Sequence, residues 1–268
     1  MRYLATFKNR FFRSSLGWSC FLLLGFGLAT GFESAVRAES PETAPKELKE
    51  LLSQIEAAAN RHDLKQVMQF YSPDFKNSDG LNSSSLSEAV TKLWQRYPKL
   101  NYTTELLSWE KEGDGLVAET VTKIQGTQNA DGRAMQLEST IRSRQLFNNQ
   151  KLVRQEILSE TTKTTSGSNP PQVEVKLPEK ARVREQFDFD VIVKEPLSDD
   201  VLLGAALEEP TSSDRYLKPS QFDLDLLQAG GIFKRVTAPS VPGNHWLSAI
   251  LVRADGITLI TQRVRVEK

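Results

Sequence analysis

The spacing of apolar residues changes near Pro98, and this change constrains the fold more than any other feature. Before Pro98 the apolar residues recur at helical spacing, which predicts helices over 43–60, 63–70 and about 85–97. After it the chain is rich in Thr, Val, Ile and Leu, with Gly and Asn at the joints, as is typical of strands linked by hairpins. We therefore expect three helices followed by one antiparallel sheet.

A polar stretch then divides the chain. Residues 161–171, TTKTTSGSNPP, contain no large apolar residue, and this composition predicts a linker, which we place at 164–171. Beyond it the helical period is lost, and short alternating strands lie between Pro, Gly and Asp turns. This spacing predicts a β-sandwich over 172–268, and hence two domains.

The first residues predict export. A basic start, the apolar run LGWSCFLLLGFGLATGF and a small residue at Ala38 are typical of a secretory signal peptide over 1–38. The expected location is periplasmic or extracellular in a bacterium. The alternative is that the segment stays uncleaved and anchors the protein in the membrane.

Composition excludes several classes of function. Residues 1–38 hold five of the 34 basic residues and one of the 34 acidic ones, so the remaining chain carries 29 against 33. A mildly acidic chain is not suited to binding nucleic acid. Removal of the same segment also removes Cys20, the single cysteine, which leaves no thiol nucleophile and no cysteine metal ligand.

A family resemblance enters with the N-terminal half. The stretch LKELLSQIEAAANRHDLKQVMQFYSPDF, followed by four strands, resembles the nuclear transport factor 2-like superfamily over residues 43–163. The resemblance implies a curved sheet that wraps around the helices and leaves a conical pocket. The C-terminal half resembles an immunoglobulin-like sandwich in strand number and spacing. The expected fold class is α+β: a three-helix plus curved antiparallel sheet cone, followed by an all-β sandwich domain.

The resemblance admits enzymes, such as ketosteroid isomerases and scytalone dehydratases, and also binding modules without catalysis. Asp74 and Asp79 are the candidates for a catalytic base in the cone. Each also has an ordinary role, since aspartates commonly hydrogen-bond the backbone of a turn. The acidic pairs Asp188/Asp190 and Asp223/Asp225 share strand faces, but each pair offers calcium too few oxygens, so we expect no metal and no cofactor.

Aromatic residues are concentrated on the helices, the Tyr-Ser-Pro-Asp-Phe corner and the first long strand. Such residues can line an apolar pocket and offer polar tips, or can simply fill a core. The candidate ligand-binding residues are Tyr71, Phe75, Trp94, Tyr97, Tyr102 and Trp109. Arg142 and Arg144 share one strand face, which we expect on the open side of the sheet rather than inside the cone.

These observations favour an exported, non-catalytic binding or assembly protein whose cone holds a small apolar ligand or a protein partner. The alternative is a small isomerase or dehydratase of the ketosteroid isomerase type, with a cone carboxylate as base. Expected partners are a small apolar ligand, a protein bound through the C-terminal sandwich, and a second copy bound through the sheet of the cone domain.

Overall fold

The computed structural model describes residues 38–130, 133–196, 201–227 and 229–268. Apart from Ala38, the predicted signal peptide lies outside these ranges. None of the helices within them combines the length and the apolar character that crossing a membrane requires.

Three helices lie where the sequence predicts them, and a fourth short one follows in the C-terminal half. They are α1 (Lys46–Asn60), α2 (Leu64–Gln69), α3 (Ser83–Arg96) and α4 (Ser213–Leu217). Asp63 caps α2, because its side chain accepts a hydrogen bond from the backbone N–H of Gln66 at 3.0 Å. Asn82 and Ser85 cap α3 reciprocally.

Thirteen strands are named within the described ranges. In the N-terminal half, residues 38–167, they are β1 (Tyr71–Asn77), β2 (Lys99–Glu112), β3 (Gly115–Ala130), β4 (Arg133–Asn148) and β5 (Lys151–Gly167). In the C-terminal half, residues 168–268, they are β6 (Val173–Lys176), β7 (Lys180–Arg182), β8 (Gln186–Val193), β9 (Leu203–Pro210), β10 (Asp225–Leu226), β11 (Gly231–Thr237), β12 (Gly243–Arg253) and β13 (Gly256–Glu267).

The two halves share one sheet. Its strand order is β10-β9-β12-β13-β5-β4-β3-β2, with β1 parallel to β5 and β7 parallel to β13. Because β13 pairs with β5 from Thr161 to Gly167, the long sheet of the N-terminal half continues directly into the C-terminal half. The predicted fold class, a cone followed by a separate all-β sandwich, is therefore wrong. Strands make up 57% of the structure and helices 19%.

The predicted linker coincides in part with the strand that joins the halves. Residues 164–167 form the end of β5, where they pair with β4 on one side and β13 on the other. Threonine suits a strand position, and its hydroxyl finds partners here: Thr162 shares a 2.8 Å hydrogen bond with Ser139. Gly167, with φ of 102°, ends the strand beside the backbone of Asp255.

A second sheet, of order β11-β8-β6, packs against the C-terminal part of the large one. Between them lies a single apolar cluster, which includes the alternating residues that the sequence predicts to share a face: Phe187, Phe189, Val191 and Val193. The N-terminal half instead divides its buried apolar residues between two smaller clusters.

Candidate ligand cavity

A cavity of about 470 Å³ lies in the N-terminal half, between the helices and the long strands. Its helical wall comes from α1 and α3, and its sheet wall from β2, β3, β4 and β5. The apolar lining includes Leu52, Ile55, Ala59, Leu86, Ala89, Val90, Leu93, Ile124, Ile141 and Ile157. Helical spacing explains the first seven, since residues three, four and seven apart share one face of a helix.

Most polar groups of the sheet wall are already paired with one another. Thr104 and Thr122 lie 3.2 Å apart through their hydroxyls, and the Ser143 hydroxyl lies 3.3 Å from that of Thr120. The Tyr102 hydroxyl accepts a hydrogen bond from Trp94 Nε1 at 2.9 Å. Each of these hydroxyls therefore has a partner within the wall, as buried polar groups usually do.

Another part of the wall keeps a polar group without a partner. Gln145 and Gln155 are opposite each other on β4 and β5, and both line the cavity. Gln155 Oε1 accepts from Asn77 Nδ2 at 3.1 Å. Gln145 Oε1 is buried and has no hydrogen-bond partner among the described residues. An amide that lines a cavity in this way can receive a ligand donor.

Tyr71 adds a hydroxyl to the same cavity. Burial, with a smaller contribution from nearby Tyr102, raises the pKa of Tyr71 to about 12. The hydroxyl therefore stays protonated at neutral pH and acts as a hydrogen-bond donor or acceptor, not as a base. Its ring packs edge-on against Phe75 at a centroid distance of 4.9 Å.

Four of the six predicted ligand-binding residues line the cavity: Tyr71, Trp94, Tyr97 and Tyr102. Phe75 is buried instead in the apolar cluster under α1. Trp109 packs against that cluster and donates through Nε1 to the Thr43 hydroxyl at 3.1 Å. The Tyr-Ser-Pro-Asp-Phe corner is part of β1, whose pairing with β5 breaks register between Tyr71 and Lys76.

Neither predicted base is among the described residues that line the cavity. Asp74 is exposed, and its backbone N–H donates to the Ser72 hydroxyl at 3.2 Å. Asp79 is buried against Arg263, whose two terminal nitrogens donate to its two oxygens at 2.8 and 2.7 Å. Burial acts to raise the pKa of Asp79, but the hydrogen bonds and charge of Arg263 outweigh it and lower that pKa. An aspartate held ionised in this way is a weak base.

Arg263 belongs to a buried cluster that joins the halves. It lies on β13 and contacts Glu160 of β5 at 2.9 Å as well as Asp79. Trp246 Nε1 donates to the same Glu160 oxygen at 2.9 Å. Tyr216 of α4 donates to Asp79 at 2.7 Å and packs edge-on against Trp246. We call these five residues the junction cluster.

Sequence reasoning missed the junction cluster, because Asp79 and Arg263 are 184 positions apart. The one local signal is that buried and exposed residues stop alternating on β13, where the neighbours Arg263 and Val264 are both buried.

Arg142 and Arg144 lie on the face of β4 that is turned away from the cavity. They pair with Glu119 and Glu110, so neither points into the cavity. Among the described residues, no group of three or more His, Cys, Asp or Glu side chains is arranged to hold a metal ion.

A family model matches the C-terminal half. Residues 168–267 match a family described as Domain of unknown function (DUF8623). No curated protein matches the chain.

Solved structures are similar over about two fifths of the chain. Bd1075 of Bdellovibrio bacteriovorus has 19% identity and a TM-score of 0.32, over 41% of this chain and 38% of its own. A putative scytalone dehydratase from Novosphingobium aromaticivorans has 7% identity and a TM-score of 0.36, over 41% and 80%. A SnoaL-like polyketide cyclase from Agrobacterium tumefaciens has 12% identity and a TM-score of 0.31, over 42% and 91%. The structural neighbours are thus nuclear transport factor 2-like proteins, and the immunoglobulin-like resemblance is not confirmed.

Proposed function

We propose that this is an exported binding protein whose cavity holds a small, largely apolar molecule with a hydrogen-bond donor. The observation that carries the proposal is Gln145 Oε1, buried and without a partner among the described residues, in a cavity of about 470 Å³. Ligand sites in proteins have this size and this combination of an apolar wall with a few polar groups. Export is supported by the basic and apolar start of the sequence.

The energetics favour an uncharged ligand. A buried acceptor without a partner costs about 1–3 kcal/mol, and a ligand donor that reaches Gln145 removes that cost. A buried ion without a partner is far more costly. Of the charged residues in the lining, Lys92 and Arg96 on α3 are exposed. The Glu56 carboxylate on α1 is half-buried but already accepts a hydrogen bond from the backbone N–H of Thr104 at 2.6 Å.

Two fluorescent probes test this proposal. N-phenyl-1-naphthylamine is apolar, uncharged and carries one N–H donor, and 1-anilinonaphthalene-8-sulfonate has the same rings with an added sulfonate. We expect the purified chain without its first 38 residues to bind the neutral probe saturably, and at least tenfold more tightly than the sulfonated one. Fluorescence titration measures both affinities.

Two neighbouring residues of β4 locate the site. Ile141 lines the cavity, whereas Thr140 is exposed on the opposite face of the same strand. Ile141→Phe fills part of the cavity and should weaken binding of the neutral probe at least tenfold, while Thr140→Phe should change it less than twofold. Equal effects of the two variants, or no saturable binding by the unmodified protein, would contradict the proposal.

One observation favours a second candidate function, catalysis by an isomerase or dehydratase of the cone type. Glu56 of α1 brings a carboxylate into the lining, where its Oε2 accepts from the backbone N–H of Thr104 at 2.6 Å. Such a group can move a proton between two carbons of a bound ketone. This candidate would be established if the protein isomerised a β,γ-unsaturated ketone and Glu56→Gln lowered the rate about 100-fold or more while still binding the ligand. The binding proposal expects no turnover.

The expected protein partner of the C-terminal half and the expected second copy at the cone sheet stay predictions. Analytical ultracentrifugation of the same protein measures directly whether two copies associate.

A further inference from the structure

The cavity of the N-terminal half is closed in part by residues of the C-terminal half. Tyr216 and Leu217 of α4, and Pro219 just after it, line the same cavity as α1 and α3. We define residues 211–219 as the roof segment. The N-terminal half therefore does not complete its own cavity.

The roof segment is held by side chains more than by packing. None of the five described residues of α4 is buried. Tyr216 donates to Asp79 Oδ2 at 2.7 Å, and the Thr211 hydroxyl donates to Asp79 Oδ1 at 3.2 Å. In the middle of the segment, Arg215 Nε lies 3.1 Å from Oε1 of Glu209 on β9. A five-residue helix is not stable in isolation, so this segment depends on these bonds.

Asp79, to which the roof segment is hydrogen-bonded, is held more firmly than the segment itself. Asp79 is fixed by two hydrogen bonds from Arg263, and Arg263 is itself fixed by Glu160 on β5. Segments with little buried apolar surface open at low free-energy cost, whereas central strands open with the whole protein. The hydrogen bond between Tyr216 and Asp79 thus joins a weakly held segment to a firmly held one.

We propose that the roof segment is a lid that opens to admit and release the ligand, and that the Tyr216–Asp79 hydrogen bond is its latch. The inference rests on the proposed binding function. It gives the C-terminal half a role at the N-terminal site: Leu217 closes the cavity over the ligand, and the latch sets how long the ligand stays.

The release rate of N-phenyl-1-naphthylamine, measured by stopped-flow fluorescence on dilution, tests the latch. Tyr216→Phe removes the hydroxyl but keeps the ring that packs on Trp246. A hydrogen bond to a charged acceptor is among the stronger ones, so we expect release to become about tenfold faster. Ser212→Ala is the matched control, because the Ser212 side chain makes no capping hydrogen bond to α4. Its release rate should match that of the unmodified protein.

A second measurement tests opening without any ligand. Arg215 is a trypsin site within the roof segment, whereas the bond between Lys218 and Pro219 resists trypsin. Cleavage after Arg215 should be several-fold faster in Tyr216→Phe than in the unmodified protein or in Ser212→Ala, and slower in all three when the neutral probe is bound and the lid is closed.

The two measurements separate the two proposals. If the probe binds but Tyr216→Phe alters neither its release nor cleavage after Arg215, the lid proposal is wrong and the binding function stands. If the probe does not bind while cleavage still rises in Tyr216→Phe, the binding function is wrong and the segment is a mobile flap of another purpose. Unaltered cleavage without binding overturns both.

Discussion

The N-terminal and C-terminal halves of the molecule bury their apolar residues differently. In the C-terminal half, β8, β11, β12 and β13 contribute to one continuous cluster with fully buried members such as Phe189, Val191 and Leu251. In the N-terminal half the apolar residues form two separate clusters, and a cavity of about 470 Å³ lies beside them. We call the half with the single apolar cluster the packed half and the half with the cavity the hollow half.

This difference shows how one shared sheet can both stabilise the fold and leave room for a ligand. A packed cluster stabilises the fold but leaves no room for a ligand. A hollow one gives up part of that stabilisation and keeps polar side chains such as that of Gln145 in the wall of the cavity. Because β13 and β5 pair directly, the packed half can stabilise the hollow half and place α4 over its cavity.

Matched leucine substitutions give the largest expected effect. Leu251→Ala in the packed half should lower the free energy of unfolding by about 3–5 kcal/mol, because it creates a new void in a filled core. Leu93→Ala, at the wall of the existing cavity, should cost less than about 2 kcal/mol, because Leu93 already faces open space on one side. Urea unfolding at pH 7 measures the free energy of unfolding of both variants. Equal losses of that free energy would show that the halves are packed alike.

The junction cluster gives the next effect. Asp79→Asn should lower the free energy of unfolding by about 3 kcal/mol, because it breaks a buried ion pair and leaves Arg263 with an imperfect partner. Asp74→Asn is the control: that side chain is exposed, and the change should stay within about 0.5 kcal/mol. A small loss in Asp79→Asn would mean that the cluster does not hold the halves together.

Asp79→Asn also tests how the contribution of Asp79 to the free energy of unfolding depends on pH. The pKa of Asp79 is lowered in the folded state, so its contribution is complete above the unfolded value of about 3.9 and is lost as pH falls through the lower folded value. The stability difference between the unmodified protein and Asp79→Asn should therefore be constant from pH 7 to pH 5 and shrink below about pH 4. Urea unfolding at pH 7, 5 and 3 checks this, and a difference that grows towards acid pH would reverse the assignment.

The smallest effect concerns the unpartnered amide. Gln145→Leu should raise the free energy of unfolding by up to about 1 kcal/mol, because it removes a buried acceptor that lacks a partner. It should also weaken binding of N-phenyl-1-naphthylamine several-fold. Gln136→Leu, exposed on the same strand, should change neither quantity appreciably. Thermal unfolding and fluorescence titration measure the pair, and a destabilised Gln145→Leu would show that the amide has a structural role.

Local features of the fold were predictable from the sequence, whereas the connection between the halves was not. Helical spacing predicted α1 and α3, and the cap at Asp63 fixed the start of α2. The segment 164–167 was predicted as linker because it lacks apolar residues. Strand residues that pair on both sides need no apolar side chains, since Thr164 and Ser166 are buried within the sheet.

The wall of the candidate site was predictable from the sequence in part, whereas its roof was not. The aromatic residues of the helices and of β2 pointed to a cavity, and Tyr71, Trp94, Tyr97 and Tyr102 line it. The roof residues Tyr216 and Leu217 lie more than a hundred positions further along, in a stretch with no pattern of its own. Their place depends on the pairing of β13 with β5, which no local period indicates.

The central claim is that one site is built from both halves, with its walls in the hollow half and its roof in the packed one. Hydrogen exchange of the protein without its first 38 residues, followed by mass spectrometry with and without N-phenyl-1-naphthylamine, tests it most directly. We expect slower exchange in both α3 and residues 211–219 when the probe is bound, with β8 and β11 unchanged. Protection confined to one half, or centred on β8 and β11, would contradict it.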